Sequence, residues 1–167
     1  GTFTGWQQRG TWTVPAASGT VTADSVTPNS GSGTSQAFSL QYTDTAGATS
    51  LGNVWVLFNN TLSGVTNACD VMYTRQTNTI QLLNDAANGW SAGATPGSNV
   101  TLQNSQCSVN AGATSVGLSG NTLTLNLAMG FTSSFAGAKN TYMYAQDSGG
   151  TFTGWQQRGT WTVPAAS

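Results

Sequence analysis

The sequence predicts an all-β fold, an antiparallel sandwich or barrel, and three observations carry that expectation. First, apolar and polar residues alternate with a period of two. In GNTLTLNLAM, Leu123, Leu125 and Leu127 fall on one face and Thr122, Thr124 and Asn126 on the other. Second, such runs are short and are separated by turn clusters rich in Gly, Asn, Ser and Pro, among them PNSGSG, NDAANG and DSGG. Third, helical periodicity is nearly absent, and the one helical candidate is a short turn at 132–139, TSSFAGAK.

The elements follow in order. PAASGTVTADSVTP reads as a linker and a first strand near 20–27, with Pro15 and Pro28 limiting pairing at its ends. QAFSLQYTD gives a strand near 36–44 with Phe38, Leu40 and Tyr42 on one face. NVWVLFN, near 52–59, is apolar on both faces: Val54, Val56 and Phe58 oppose Trp55 and Leu57. CDVMYTR and NTIQLLND predict strands near 68–75 and 79–84, and TLQNSQCSVN predicts one near 100–109. Strands near 121–129, 140–147 and 154–163 complete the set. The strand at 140–147 is again two-faced, Met143 and Ala145 against Tyr142 and Tyr144. With Val54, Val56, Met143 and Ala145 in the core, Trp55, Leu57, Tyr142 and Tyr144 form an outer patch. Monomers rarely leave such a patch bare. It is expected to be an interface between units, unless a loop such as 86–98 with Trp90 covers it.

Composition narrows the function. The 167 residues include four Lys or Arg, five Asp, no Glu and no His. Four scattered cations make no basic footprint for nucleic acid. Without His or Glu, histidine-based nucleophile activation and paired-carboxylate hydrolysis lose their usual groups, so the chain is expected not to be an enzyme and to use no cofactor. No Cys/His cluster offers a zinc site. Asp44 and Asp147 lie in loop sequences suited to calcium oxygens, or to turn capping. No run approaches the ~20 apolar residues of a membrane helix, so membrane insertion is not expected. The six Trp, six Phe and four Tyr argue against disorder. The two cysteines, Cys69 and Cys107, are expected to form a disulfide, which suits an extracellular or cell-surface protein.

KNTYMYAQDSGGTFTGWQQRGTWTV resembles the final hairpin of bacterial immunoglobulin-like repeat domains. VTPNSGSGTSQAFSLQYTD is similar to their opening pair of strands. The resemblance spans roughly 20–164. It implies an immunoglobulin-like antiparallel β-sandwich that serves as one repeat of a tandem or polymeric array on secreted or surface proteins, and it carries no catalytic residues. Some pilin-like domains of similar kind lock a Lys to an Asn. Lys139 is the single lysine here, and no acid is paired with it in the sequence.

One feature outweighs these motifs. Residues 1–18, GTFTGWQQRGTWTVPAAS, recur without a difference at 150–167, an offset of 149 residues. Fixed-period identity is the signature of repeats. Residues 1–18 therefore read as the last strand of a preceding repeat, and 19–167 as one complete unit. The joining strand carries Trp6, Arg9, Trp12 and Val14 in the first copy and Trp155, Arg158, Trp161 and Val163 in the second. Two arrangements are open: a covalent tandem, or exchange of the strand between subunits. In both, the partner is another copy of the chain and residues 1–14 pair outside their own body. A first copy that bonded to its own body, or lay free in solvent, would take away the main support of the reading. Trp155, Gln157, Gly159, Trp161 and Val163 share a face unless Gly159 marks a bulge. A carbohydrate-binding or adhesive module taking surface glycans, with Trp90 or Trp155 as stacking platform, is the alternative. Asn59-Asn60-Thr61 and Asn99-Val100-Thr101 fit the N-glycosylation pattern.

Overall fold

The computed structural model describes residues 1–13 and 19–167. Eleven strands form two antiparallel sheets, and among the described residues the only helical pieces are three short 3₁₀ turns. The first sheet holds β1 (Val21–Thr27), β2 (Ser35–Asp44), β6 (Thr101–Gln103), β7 (Cys107–Asn110), β8 (Ser115–Ser119) and β9 (Thr122–Phe131). Its order is β1-β2-β9-β7-β6, and β8 shares the edge of β9 with β7. The second sheet holds β3 (Leu51–Asn59), β4 (Cys69–Thr74), β5 (Thr79–Leu82), β10 (Gly137–Asp147) and β11 (Gln156–Val163), in the order β11-β10-β3-β4-β5.

The period-two pattern sets which side chains go inside. Phe38, Leu40 and Tyr42 of β2 and Leu123, Leu125 and Leu127 of β9 meet Val54, Val56, Phe58, Met143 and Ala145 of the other sheet in one buried core. Burying each large apolar side chain contributes about 1.5–3 kcal/mol. Tyr42 keeps its hydroxyl satisfied by donating to the Trp55 carbonyl at 2.9 Å, and burial, aided by the charge of Asp70, pushes the phenol up from its ordinary value. Cys69 of β4 and Cys107 of β7 are bonded, so the disulfide joins the two sheets through the core.

Several boundaries differ from the expectation. The strand expected over 100–109 is split into β6 and β7. The Asn104 carboxamide oxygen accepts from the amides of Gln106 and Cys107 at 2.8 and 2.9 Å, while its amino group donates to the carbonyls of Ala68 and Leu83. A local side-chain turn thus replaces ladder bonds. β8 was not foreseen, because SVGLS is short and mostly exposed. The turn expected at 132–139 is helical only over Ser133–Phe135, and Gly137–Lys139 already belong to β10.

The path of the chain has a direction. Val21 pairs with Asp44, and Leu51 pairs with Asp147, so the chain enters the sandwich at that end. Val163 pairs with Gly137 at the opposite end, where Thr162 also bridges Ser32. The body therefore receives the chain at one end and releases it at the other.

Candidate joining strand and its slot

β11 sits in a slot with a backbone partner on each side. On one side it pairs antiparallel with β10, from Gly137 opposite Val163 to Met143 opposite Gln156. On the other side it runs parallel to the segment 29–33. The amides of Thr160 and Thr162 donate to the carbonyls of Asn29 and Gly31, each at 2.9 Å, and the Gly33 amide donates back to the Thr162 carbonyl at 3.1 Å. This lip on the slot comes from PNSGSG, which in sequence reads only as a turn.

Side chains set the register. Trp161 is buried with its ring edge-on to Phe38, centroids 5.2 Å apart, and its indole N–H donates to the Gly33 carbonyl at 3.0 Å. Gly31 lies under that ring with φ of +150°, and a Cβ there would stand 2.6 Å from Trp161 Cζ3. Gly159 faces the lip in the same way, since a Cβ on it would stand 2.7 Å from the Asn29 carbonyl oxygen. The Arg158 Nε donates to the Ala23 carbonyl at 2.7 Å. Val163, buried, closes the far end. The slot thus demands small, basic, aromatic and β-branched residues at 159, 158, 161 and 163.

The expected single face of the strand is broken. The pairing with β10 skips Arg158, so Thr141 faces Gly159 while Tyr142 faces Gln157. This bulge sends Trp161 into the core and Trp155 to the outer face. There Trp155, Trp55 and Phe152 surround Tyr144. The Tyr144 centroid lies 5.3 Å from Trp155, 4.9 Å from Trp55 and 6.0 Å from Phe152. Trp55 and Trp155 meet Tyr144 edge-on, and only Phe152 stacks parallel to it.

The outer patch expected from Trp55, Leu57, Tyr142 and Tyr144 is therefore only half open. Leu57 and Tyr142 are buried with Ala68, against half-buried Val65 and Trp155. The covering comes from residues before β4 and from the joining segment, not from the loop around Trp90. Trp90 itself bridges Leu83 beside β5 and is 37% exposed.

The first copy of the strand behaves differently from the second. Residues 1–13 form no strand, and Phe3, Trp6, Arg9 and Trp12 are exposed. Their side-chain hydrogen bonds are local, Thr4 to the Gly5 carbonyl and Gln7 to the Thr4 carbonyl. Val14 lies outside the described residues. The first copy does not bond to its own body, as the joining-strand reading requires. It does lie in solvent in the isolated chain, the outcome that removes direct structural support from that reading. The slot holds one strand and is already filled by the second copy.

The remaining candidate residues have local roles. Asp44 and Asp147 are buried, and each accepts a turn amide at 2.8 Å, from Ala46 and Thr151 respectively. This is the capping use of Asp, although the second oxygen of each carboxylate has no partner among the described residues. Lys139 lies over the Phe135 ring, 4.2 Å from its centroid, and partial burial lowers its ammonium from the ordinary value. Asn59 is buried and donates to the Gly64 carbonyl, whereas Asn99 is exposed. Burial pushes the carboxyl of Asp70, on the outer side of β4 beside Leu57, up to about 7. Among the described residues no cluster of three or more His, Cys, Asp or Glu could hold a metal, and no helix is long and apolar enough to cross a membrane.

A sandwich closed by a strand whose sequence also stands at the other end of the chain defines the site. Comparison with family models, curated proteins and solved structures finds no match to it.

Proposed function

We propose that this chain is a structural unit of an extracellular filament or surface fibre, an immunoglobulin-like repeat joined head to tail to copies of itself through the strand at 150–163. One observation carries the reading. The strand that closes the sandwich leaves it at the end opposite to where β1 enters, and the same 18 residues stand 149 positions upstream. A unit that enters at one end and leaves at the other propagates in a line. Between Val163 and the next unit's β1 lie residues equivalent to 164–167, 19 and 20, which reach at most about 25 Å. Neighbouring units are thus kept in near contact. The disulfide suits an oxidising compartment, and a surface of Ser, Thr, Asn and Gly suits a fibre that must stay soluble with few charges.

The glycan-binding alternative draws on the aromatic cluster around Tyr144. Sugar platforms present broad, bare ring faces. Here Trp55 and Trp155 turn their edges or faces into Tyr144, so the cluster serves first to pin the joining segment to the sheet.

The test is a chain with a second 19–167 appended after Ser167. Small-angle scattering should show the maximum dimension growing by about 35–40 Å, the length of an 11-residue strand at ~3.3 Å per residue. A compact particle of nearly unchanged length would overturn the reading.

A further inference from the structure

We infer that the β11 slot is a strand-acceptor site that takes residues 7–14 of a second copy of this chain. The inference rests on the joining-strand reading and deepens it by naming the partner and the contacts. Every feature the slot demands of β11 is present in the first copy at the same spacing. Arg9 matches Arg158, which donates to the Ala23 carbonyl. Gly10 matches Gly159, where a side chain would strike the lip. Trp12 matches Trp161, which fills the space over Gly31 and bonds Gly33. In the described part of that copy the backbone has no strand partner and the indoles are in water. A segment with such anchors, the sequence of a strand and no strand partner is a donor for this edge once β11 is displaced from it.

The chain cannot easily serve itself. Position 14 would lie where Val163 lies, at the far end of the slot, whereas β1 begins at the near end. The slot from Gln156 to Val163 is about 23 Å long. The seven residue steps from 14 to 21 reach at most about 25 Å. Self-insertion would need the link pulled straight back along the occupied sheet, while a second copy carries no such constraint. In the unaltered chain β11 is tethered to its slot at an effective concentration of about millimolar. A donor from another molecule at micromolar concentration is therefore outcompeted roughly a thousandfold. Exchange becomes visible when β11 is disabled and the first copy is left intact.

Gly159→Val does this in the full chain. The added atoms meet the Asn29 carbonyl, while Gly10 is untouched. Light scattering should show Gly159→Val passing from monomer to dimer and larger species as concentration rises. Excess synthetic peptide of residues 1–18 should return it to a monomer carrying one peptide. The double variant Gly10→Val/Gly159→Val should not self-associate, but should bind the same peptide at least tenfold more tightly than the unaltered chain does. A peptide with Gly10→Val should fail to bind. If either variant is unfolded alone, recovery of its far-ultraviolet dichroism on adding the 1–18 peptide is the supporting result. A Gly159→Val chain that stays monomeric at all concentrations overturns the inference. So does a double variant that ignores the peptide, folded or not. Neither outcome touches the covalent array, in which every slot is filled by its own strand and which the two-unit chain tests separately.

Discussion

Replacing the same residue in two identical sequences gives the sharpest test of the slot. Trp161→Ala and Trp12→Ala alter the same position of the repeat, yet only the first faces a packed core. Trp161 is 3% exposed and Trp12 is 88% exposed. Truncating a buried Trp leaves a cavity and costs about 3–5 kcal/mol. The Gly33 carbonyl also loses its indole donor, a further cost of about 1 kcal/mol where the carbonyl stays dry. The expected loss of about 4–6 kcal/mol is a large share of the 5–15 kcal/mol that stabilises a typical domain. At a urea slope of about 2 kcal/mol per molar, the midpoint should fall by about 2–3 M. Trp12→Ala should move it by no more than about 0.5 kcal/mol, as surface changes do. Urea titration followed by far-ultraviolet dichroism reads both, since dichroism is less sensitive than fluorescence to which Trp is removed. A Trp161→Ala cost below about 1 kcal/mol would refute the packing argument. Equal costs at the two sites would show that the copies trade places freely and would refute the assignment of 156–163 as the resident strand.

Two further predictions use other parts of the body. The Cys69–Cys107 bridge closes 38 residues of sequence separation, so the double variant Cys69→Ala/Cys107→Ala should lose about 4 kcal/mol by the chain-entropy argument. A change under about 1 kcal/mol in the urea titration would contradict it. Asp70 has a folded pKa raised to about 7 by burial, against about 3.9 when unfolded. Below about pH 4 both states hold the proton and the full stability is present. Between about pH 4 and 7 the unfolded state releases its proton first, so stability falls as pH rises, by on the order of 4 kcal/mol in all, and then levels off. Asp70→Asn should remove that slope and be the more stable form at pH 8. A stability profile of the unaltered chain that is flat across this window would refute the burial of the charge.

Much of the sandwich was legible because period-two alternation survives in both sheets. Phe38, Leu40 and Tyr42, the three leucines of β9, and the inward residues of β3 and β10 all went where the pattern sent them. The placement of β3, β10 and β11 side by side is what the immunoglobulin-like resemblance implies, and the two-faced pattern of β3 and β10 does not by itself specify it. What failed was set by contacts remote in sequence. Asn104 breaks a strand by bonding across to Ala68 and Leu83, and nothing in TLQNSQCSVN announces those partners. Leu57 and Tyr142 are covered by a neighbouring loop and by Trp155, which no local pattern specifies. The lip at 29–33 was the largest omission. Gly31 and Gly33 both lie against Trp161, a contact between segments far apart in sequence that no local pattern specifies. The bulge at Arg158 was anticipated in kind by Gly159, and it is what separates the roles of Trp155 and Trp161.

The edges of the two sheets bear on how such a unit associates. Bare strand edges invite pairing with other chains, and proteins often blunt them with Lys. This chain has a single lysine and needs other means. The outer edge of β5 is taken by Ala94, whose amide and carbonyl exchange bonds with Ile80 at 2.9 and 2.8 Å. The outer edge of β11 is taken by the lip. β1 carries a register shift between Ala23 and Ser25, and the Arg158 side chain occupies the Ala23 carbonyl. β6 is three residues long, and β8 has Gly117 at its centre. Each of these devices shortens, twists or occupies an edge, so sideways growth through the sheets is discouraged at every rim. Against that background the described residues contain one segment with strand-forming sequence, exposed anchors and no backbone partner. That segment is residues 1–13, whose sequence recurs at 150–162. The lateral edges are thus closed by several separate routes, while residues 1–13, whose sequence matches a strand of the sandwich, stand exposed and without a strand partner.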